Sequence, residues 1–138
     1  MAIHLTYAAA NACAGDAAND GLRAYIGATP KLKFFTGNQN ADPEADPAGT
    51  LISTHTLAAF GAVSNGAITS VNATSDATTV AGGTIACWAL YLTNGTTKVL
   101  DGSAAKISGG DINLDENVVV GAGATVKMGN LVLTMPRS

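Results

Sequence analysis

Between Pro47 and Thr97 the chain carries a single charged residue, Asp76. The stretch is filled instead by Thr, Ala, Val, Asn, Gly and Ser, with β-branched clusters at Thr50-Leu51-Ile52-Ser53-Thr54-His55-Thr56-Leu57 and Thr84-Ile85. β-branched side chains fit a pleated, half-buried surface better than a helix. A sheet so poor in charge needs its surface covered, by other layers of the same chain or by partners. The 138 residues suit one domain. Charged residues make up 12%, about half the usual quarter. A net charge of −3 argues against nucleic-acid binding, which needs a basic stripe to displace counterions. The 47% apolar content argues against disorder. No run approaches the length of apolar chain that spans a bilayer, so no membrane partner is expected. The first residues lack Lys and Arg, and Asn11, Gly15 and Asp16 break the apolar run after them. They do not read as a secretory signal.

Residues 1–29 read as an arm and helix, and residues 30–138 as a β-sandwich. Thr6 is placed to cap the helix with its hydroxyl. Ala8, Ala9, Ala10, Ala12, Ala14, Ala17 and Ala18 favour it. Gly15 and Gly21 divide it in two near Asn19-Asp20-Gly21. Leu22, Tyr25 and Ile26 form an i, i+3, i+4 stripe, and Gly27 stops the helix before Pro30.

Strands follow at Lys31–Thr36, Thr50–Leu57, Ala67–Val71, Thr84–Thr93 (the longest), Lys98–Leu100, Asp111–Leu114, Asn117–Val120, Ala124–Met128 and Leu131–Thr134. In the first, Leu32 and Phe34 face one way and Lys31, Lys33 and Phe35 the other. Asn94-Gly95 is a hairpin signal. Short strands with a turn every ten or so residues predict a mainly β fold, a jelly-roll-like antiparallel β-sandwich with a short N-terminal α-helix.

The candidate chemistry is thin. Cys13 and Cys87 have no metal-ligand spacing and read as buried free thiols. Asp111-Ile112-Asn113-Leu114-Asp115 opens like a calcium loop, but Glu116 and Ala122 stand where the glycine and the bidentate Glu belong, so a strand is the better account. Gly121-Ala122-Gly123 lacks the third glycine of a nucleotide fingerprint and reads as a turn. His4 and His55 are too far apart for a metal motif, and His55 reads as a packing residue. The acceptor patterns at Asn72 and Asn94 read as chance matches. Trp88 and Tyr91 could stack a sugar, but their odd spacing puts them on opposite faces, and Trp88 reads as core. No catalytic residue, cofactor or metal is expected.

The order of features resembles a known group. An Ala-rich helix precedes Lys31-Leu32-Lys33-Phe34-Phe35-Thr36-Gly37, a Pro/Asp-rich loop and Gly49-Thr50-Leu51-Ile52. The tail runs Gly121-Ala122-Gly123-Ala124-Thr125-Val126, then Leu131-Val132-Leu133-Thr134-Met135-Pro136. This resembles small virion proteins of tailed phages and prophages, and within them the capsid cement, or decoration, proteins of short-tailed Bordetella-type phages. The resemblance covers nearly the whole chain. Gly15 and Gly21 depart from it, since such proteins carry a more continuous helix. It implies a jelly roll on the outside of a phage capsid, a homodimer that clamps neighbouring major capsid proteins. A twofold dimer presents the same patch to both sides of a seam. The contacts are expected at Ile3, Leu5 and Tyr7, apolar before any helix can bury them. A second set is expected at Asn38, Asp42, Pro43 and Pro47, in a loop too long for a plain hairpin. A tail or neck component of the virion and a carbohydrate-binding sandwich are the alternatives.

Overall fold

In the computed structural model, residues 3–14, 21–62, 64–70, 77–106, 112–114, 119–126 and 131–134 are described. The chain order is β1 (His4–Leu5), α1 (Tyr7–Ala14), α2 (Leu22–Ile26), β2 (Lys31–Phe35), β3 (Leu51–Thr56), β4 (Ala67–Ser70), β5 (Ala77–Thr78) and β6 (Gly83–Thr84). There follow β7 (Cys87–Tyr91), β8 (Lys98–Lys106), β9 (Ile112–Leu114), β10 (Val119–Val120), β11 (Thr125–Val126) and β12 (Leu131–Thr134). Among the described residues the fold is mainly β, with antiparallel pairing predominant and two short helices.

The helical segment follows the expected local chemistry. Thr6 Oγ1 accepts the Ala9 N–H at 3.3 Å, capping α1, and donates to the Val99 carbonyl at 3.1 Å. α2 begins after Gly21, whose φ of +92° is not helical, while Gly15, Asn19 and Asp20 of the expected break lie outside the described residues. Leu22 and Ile26 are buried and Tyr25 packs against the same core. Gly27, at φ +80°, ends α2 with its N–H on the Arg23 carbonyl.

The main sheet has the order β1-β8-β7-β2-β3, every pair antiparallel. β9 adds to the end of β8 in parallel, which corrects the all-antiparallel expectation. Two further expectations change. The segment from Thr84 to Thr93 is not one strand, because Ile85 and Ala86 separate β6 from β7. Among the described residues the longest strand is instead β8. Asn94-Gly95 does join β7 to β8: Asn94 Oδ1 accepts the N–H groups of Thr96 and Thr97. A second Asn-Gly pair makes the tighter turn before β4. There Asn65 and Gly66 both have positive φ, and Ser64 and Ala67 exchange backbone hydrogen bonds. Gly121-Ala122-Gly123-Ala124 forms the expected turn, closed by the Ala124 N–H on the Gly121 carbonyl.

The remaining strands pair in a nested series: β4 with β12, β5 with β11, and β6 with β10. Ile68, Val126, Leu131 and Leu133 from these ladders share one buried cluster with Leu32, Phe34, Trp88, Leu90 and Leu100 of the main sheet. A second layer therefore covers one face of the sheet, an arrangement consistent with a β-sandwich. Trp88 is 1% exposed, and its indole N–H donates to the Ser103 carbonyl at 3.0 Å. His55 is fully buried, edge-on to the Phe34 ring, with Nε2 3.3 Å from Ser53 Oγ. It is the packing residue expected.

Candidate functional site

The opposite face of the main sheet carries a small apolar cluster of Phe35, Cys87, Ala89 and Tyr91, with Leu51 at its margin. The segment from Gly37 to Gly49 crosses this face as a strap. Its two ends meet: Gly37 lies against Gly49, the Thr36 N–H donates to the Thr50 carbonyl, and the Thr50 N–H donates to Thr36 Oγ1. A Cβ on Gly49 would fall on the Thr36 carbonyl oxygen, so the crossing requires glycine.

The strap is tied down by polar groups of β7 and β8. Tyr91 Oη donates to Asp46 Oδ1 at 2.8 Å. Lys98 Nζ donates to the Ala45 carbonyl and to Asp101 Oδ2, the latter at 2.7 Å. Gln39 Nε2 donates to Asp101 Oδ1 at 2.6 Å. The Lys98 and Asp101 side chains are 3% and 0% exposed. Such a pair holds only when both charges are also hydrogen-bonded, as they are here.

A β-bulge makes this possible. Residues three apart on a strand normally face opposite sides. Between β7 and β8, Leu90 pairs with Leu100 and Tyr91 with Lys98, which leaves Val99 as the extra residue. Val99 and Leu100 both enter the main core, and Lys98 and Asp101 come to the same outer face.

Two ionisable groups under the strap, Cys87 and Tyr91, are biased toward their neutral forms. Burial, then the Asp101 charge, pushes the Cys87 thiol up to about 11, with Lys98 pulling the other way. Burial first, then the hydrogen bond to Asp46, raises Tyr91. Lys33 Nζ lies 4.5 Å from the Tyr91 ring centre and donates to the Gly95 carbonyl at 2.6 Å.

The two expected contact regions come together. The Tyr7 N–H donates to Glu44 Oε1, joining the start of α1 to the crest of the strap. Tyr7 is 74% and Ile3 42% exposed. Leu5 is half-buried and packs on the main core, and Pro47 is buried, so these two are committed within the chain. Asn38 and Asp42 are exposed and Pro43 is half-buried. Asn40 Oδ1 accepts the Asp42 N–H, and Asp42 Oδ1 accepts the Glu44 N–H, which stiffens the crest. Asp42, Glu44 and Asp46 are its charged residues. The rest of the chain holds seven acidic and seven basic residues, so the strap carries the whole net charge.

Sequence reasoning missed Gln39, Lys98, Asp101 and the strap-anchoring hydroxyl of Tyr91. Cys87 is buried as expected, whereas Cys13 is exposed, which corrects the buried reading of that thiol; both are free. Cys13 lies at the margin of the buried stripe of α1, one turn after the buried Ala9 and next to the buried Ala12. Trp88 and Tyr91 lie on opposite faces as expected, at 1% and 2% exposure, so neither ring offers a surface for stacking. β9 covers Ile112–Leu114, the middle of the Asp-x-Asn-x-Asp run, while Asp111 and Asp115 lie outside the described residues. Among the described residues no group of three or more His, Cys, Asp or Glu is placed to hold a metal, and no helix is long and apolar enough to cross a membrane. No family model, curated protein or solved structure matches the chain.

Proposed function

We propose that the chain is a structural virion protein, a cement protein that binds the outer surface of a phage capsid and clamps neighbouring major capsid proteins. The observation that carries this reading is the ledge formed by the arm and the strap. Ile3 and Tyr7 present apolar surface beside a stiff, acidic crest, and the Tyr7–Glu44 hydrogen bond fixes one against the other. A preorganised ledge loses little freedom on docking, so a small contact area can suffice. Many copies on one lattice then sum modest contacts. The protein acts as a homodimer, presenting two ledges across a seam. The nested pairing of β4 to β6 with β10 to β12 favours a jelly roll, which doubles a long hairpin back on itself. The work done is mechanical, with no catalytic residue or cofactor.

The test uses point substitutions, because β1 belongs to the sheet and deleting the arm would damage the fold. Ile3→Ser with Tyr7→Ser should leave the melting temperature within a few degrees of wild type. It should weaken binding to undecorated capsids of the parent phage about tenfold or more, from the apolar burial lost. Full occupancy by this variant, and by one with Asp42→Ala and Pro43→Ala, would refute the ledge. Cryo-electron microscopy separates the virion alternatives: cement covers the whole shell, whereas a neck or tail component is confined to one vertex.

A further inference from the structure

We propose that His4 and Asp101 form a proton-operated clasp, which tightens the N-terminal arm onto the sheet when His4 is protonated. β1 pairs with β8 through a short ladder, with His4 opposite Asp101 and Leu5 opposite Leu100. His4 Nδ1 is a buried ring nitrogen with no hydrogen-bond partner, and it stands 3.6 Å from Asp101 Oδ1. The rest of the ring reaches solvent, the side chain being 32% exposed, so protons can enter and leave. A neutral imidazole carries its one proton on either nitrogen, whereas the imidazolium must present an N–H at Nδ1. Protonation therefore turns an unpartnered nitrogen into a charged donor facing a carboxylate.

Other polar and titratable groups also surround Asp101. Lys98 on β8 is paired with Oδ2, and Gln39 on the strap donates to Oδ1. Cys87 and Tyr91 on β7 stay neutral, and Tyr91 is bonded to Asp46 of the strap. Lys33 on β2 lies over the Tyr91 ring. Among these side-chain types only histidine ordinarily changes charge between about pH 5.5 and pH 8. Asp101 thus anchors both halves of the ledge, the strap through Gln39 and Lys98 and the arm through His4. The clasp belongs to the free protein, so it stands or falls independently of capsid binding.

Amide hydrogen exchange reads it directly. The Thr6 N–H, donated to the Val99 carbonyl at 2.9 Å, reports on the arm; the Leu57 N–H, donated to the Pro30 carbonyl, reports on the rest of the sheet. After correction for intrinsic rates, Thr6 protection should be about two- to fivefold higher at pH 5.5 than at pH 8, the scale of a partly exposed ion pair. Leu57 should show no matching change. His4→Gln should abolish the difference, and His4→Lys, charged throughout, should keep protection high at both pH values. Equal Thr6 protection at the two pH values in wild type overturns the clasp, as does a rise that survives in His4→Gln. Should His4→Gln leave the arm unprotected at both, His4→Lys decides: a pH-independent protected arm supports the clasp and a pH-dependent one refutes it.

Discussion

Gly102 stands directly opposite Trp88 across the β7–β8 ladder, and a Cβ at that position would lie 2.8 Å from the indole ring. The absence of a side chain on β8 is what lets the indole lie flat over the strand and reach the Ser103 carbonyl. Gly102→Ala should therefore destabilise the protein by about 1–3 kcal/mol, the usual cost of overpacking. Urea unfolding measures it. A neutral or stabilising result would mean that the indole moves aside freely.

The buried pair beneath the strap should be strongly coupled. Lys98→Met leaves the Asp101 carboxylate without its cation and should cost about 3–5 kcal/mol. Adding Asp101→Leu should return part of that loss, because no bare charge then remains. Chemical denaturation of the two single variants and the double variant closes the cycle. Strictly additive losses would show that the two side chains do not depend on each other.

Thiol labelling should divide the cysteines cleanly. Cys13 is exposed and Cys87 is fully buried, with its thiol held in the neutral form. In the native protein Ellman's reagent should modify Cys13 alone; in denaturant it should modify both. Because burial also raises the Cys13 thiol, its labelling should quicken as the solution becomes alkaline. Fast native modification of Cys87 would contradict the packing under the strap.

Alkali should loosen this same region. Cys87 and Tyr91 are acids whose folded-state values lie above the ordinary 9.0 and 10.0, so the folded chain keeps protons that the unfolded chain gives up. Their stabilisation is complete below those ordinary values and is lost as pH rises through and beyond them. Stability should hold steady from neutral pH to about 9 and then fall, by up to about 1.4 kcal/mol per pH unit for each group. Melting curves across this range test the sign. Tyr91→Phe should be less stable at neutral pH, having lost the bond to Asp46, but should fall less steeply above about pH 10. An equally steep fall would place the alkaline weakness elsewhere.

What could be read in advance was whatever depends on near neighbours. The Thr6 cap, the Gly27 stop, the two faces of Lys31 to Phe35 and the burial of Trp88 each follow from a few adjacent residues. The strap's anchors did not, because they depend on one inserted residue. Had Val99 been paired normally, Lys98 and Asp101 would point to opposite sides of the sheet. The same kind of irregularity occurs at β3, where Phe34 pairs with Ser53 and Phe35 with Leu51, so Ile52 and Ser53 both turn inward. Alternation also cannot say which strand meets which. The parallel docking of β9 and the pairing of His4 with Asp101 join segments that carry no mutual mark in the sequence. Cys13 was misjudged because alanines fill both sides of α1, leaving little to tell its buried face from its exposed one.

The pairing of β1 with β8 also fixes an order in time. Thr6 bonds to Val99, 93 residues later in the chain. At translation speeds of about 5–20 residues per second, the first strand waits roughly 5–20 seconds for its partner to be made. Throughout that interval Ile3, Leu5 and Tyr7 have no sheet to join, and a growing chain offers them to any apolar surface nearby. The edge of the sheet is thus completed by a segment meeting a partner made 93 residues after it. A ribosome-bound chain stalled before Val99 should bind a holdase chaperone through Ile3, Leu5 and Tyr7 and release it once Asp101 has cleared the exit tunnel.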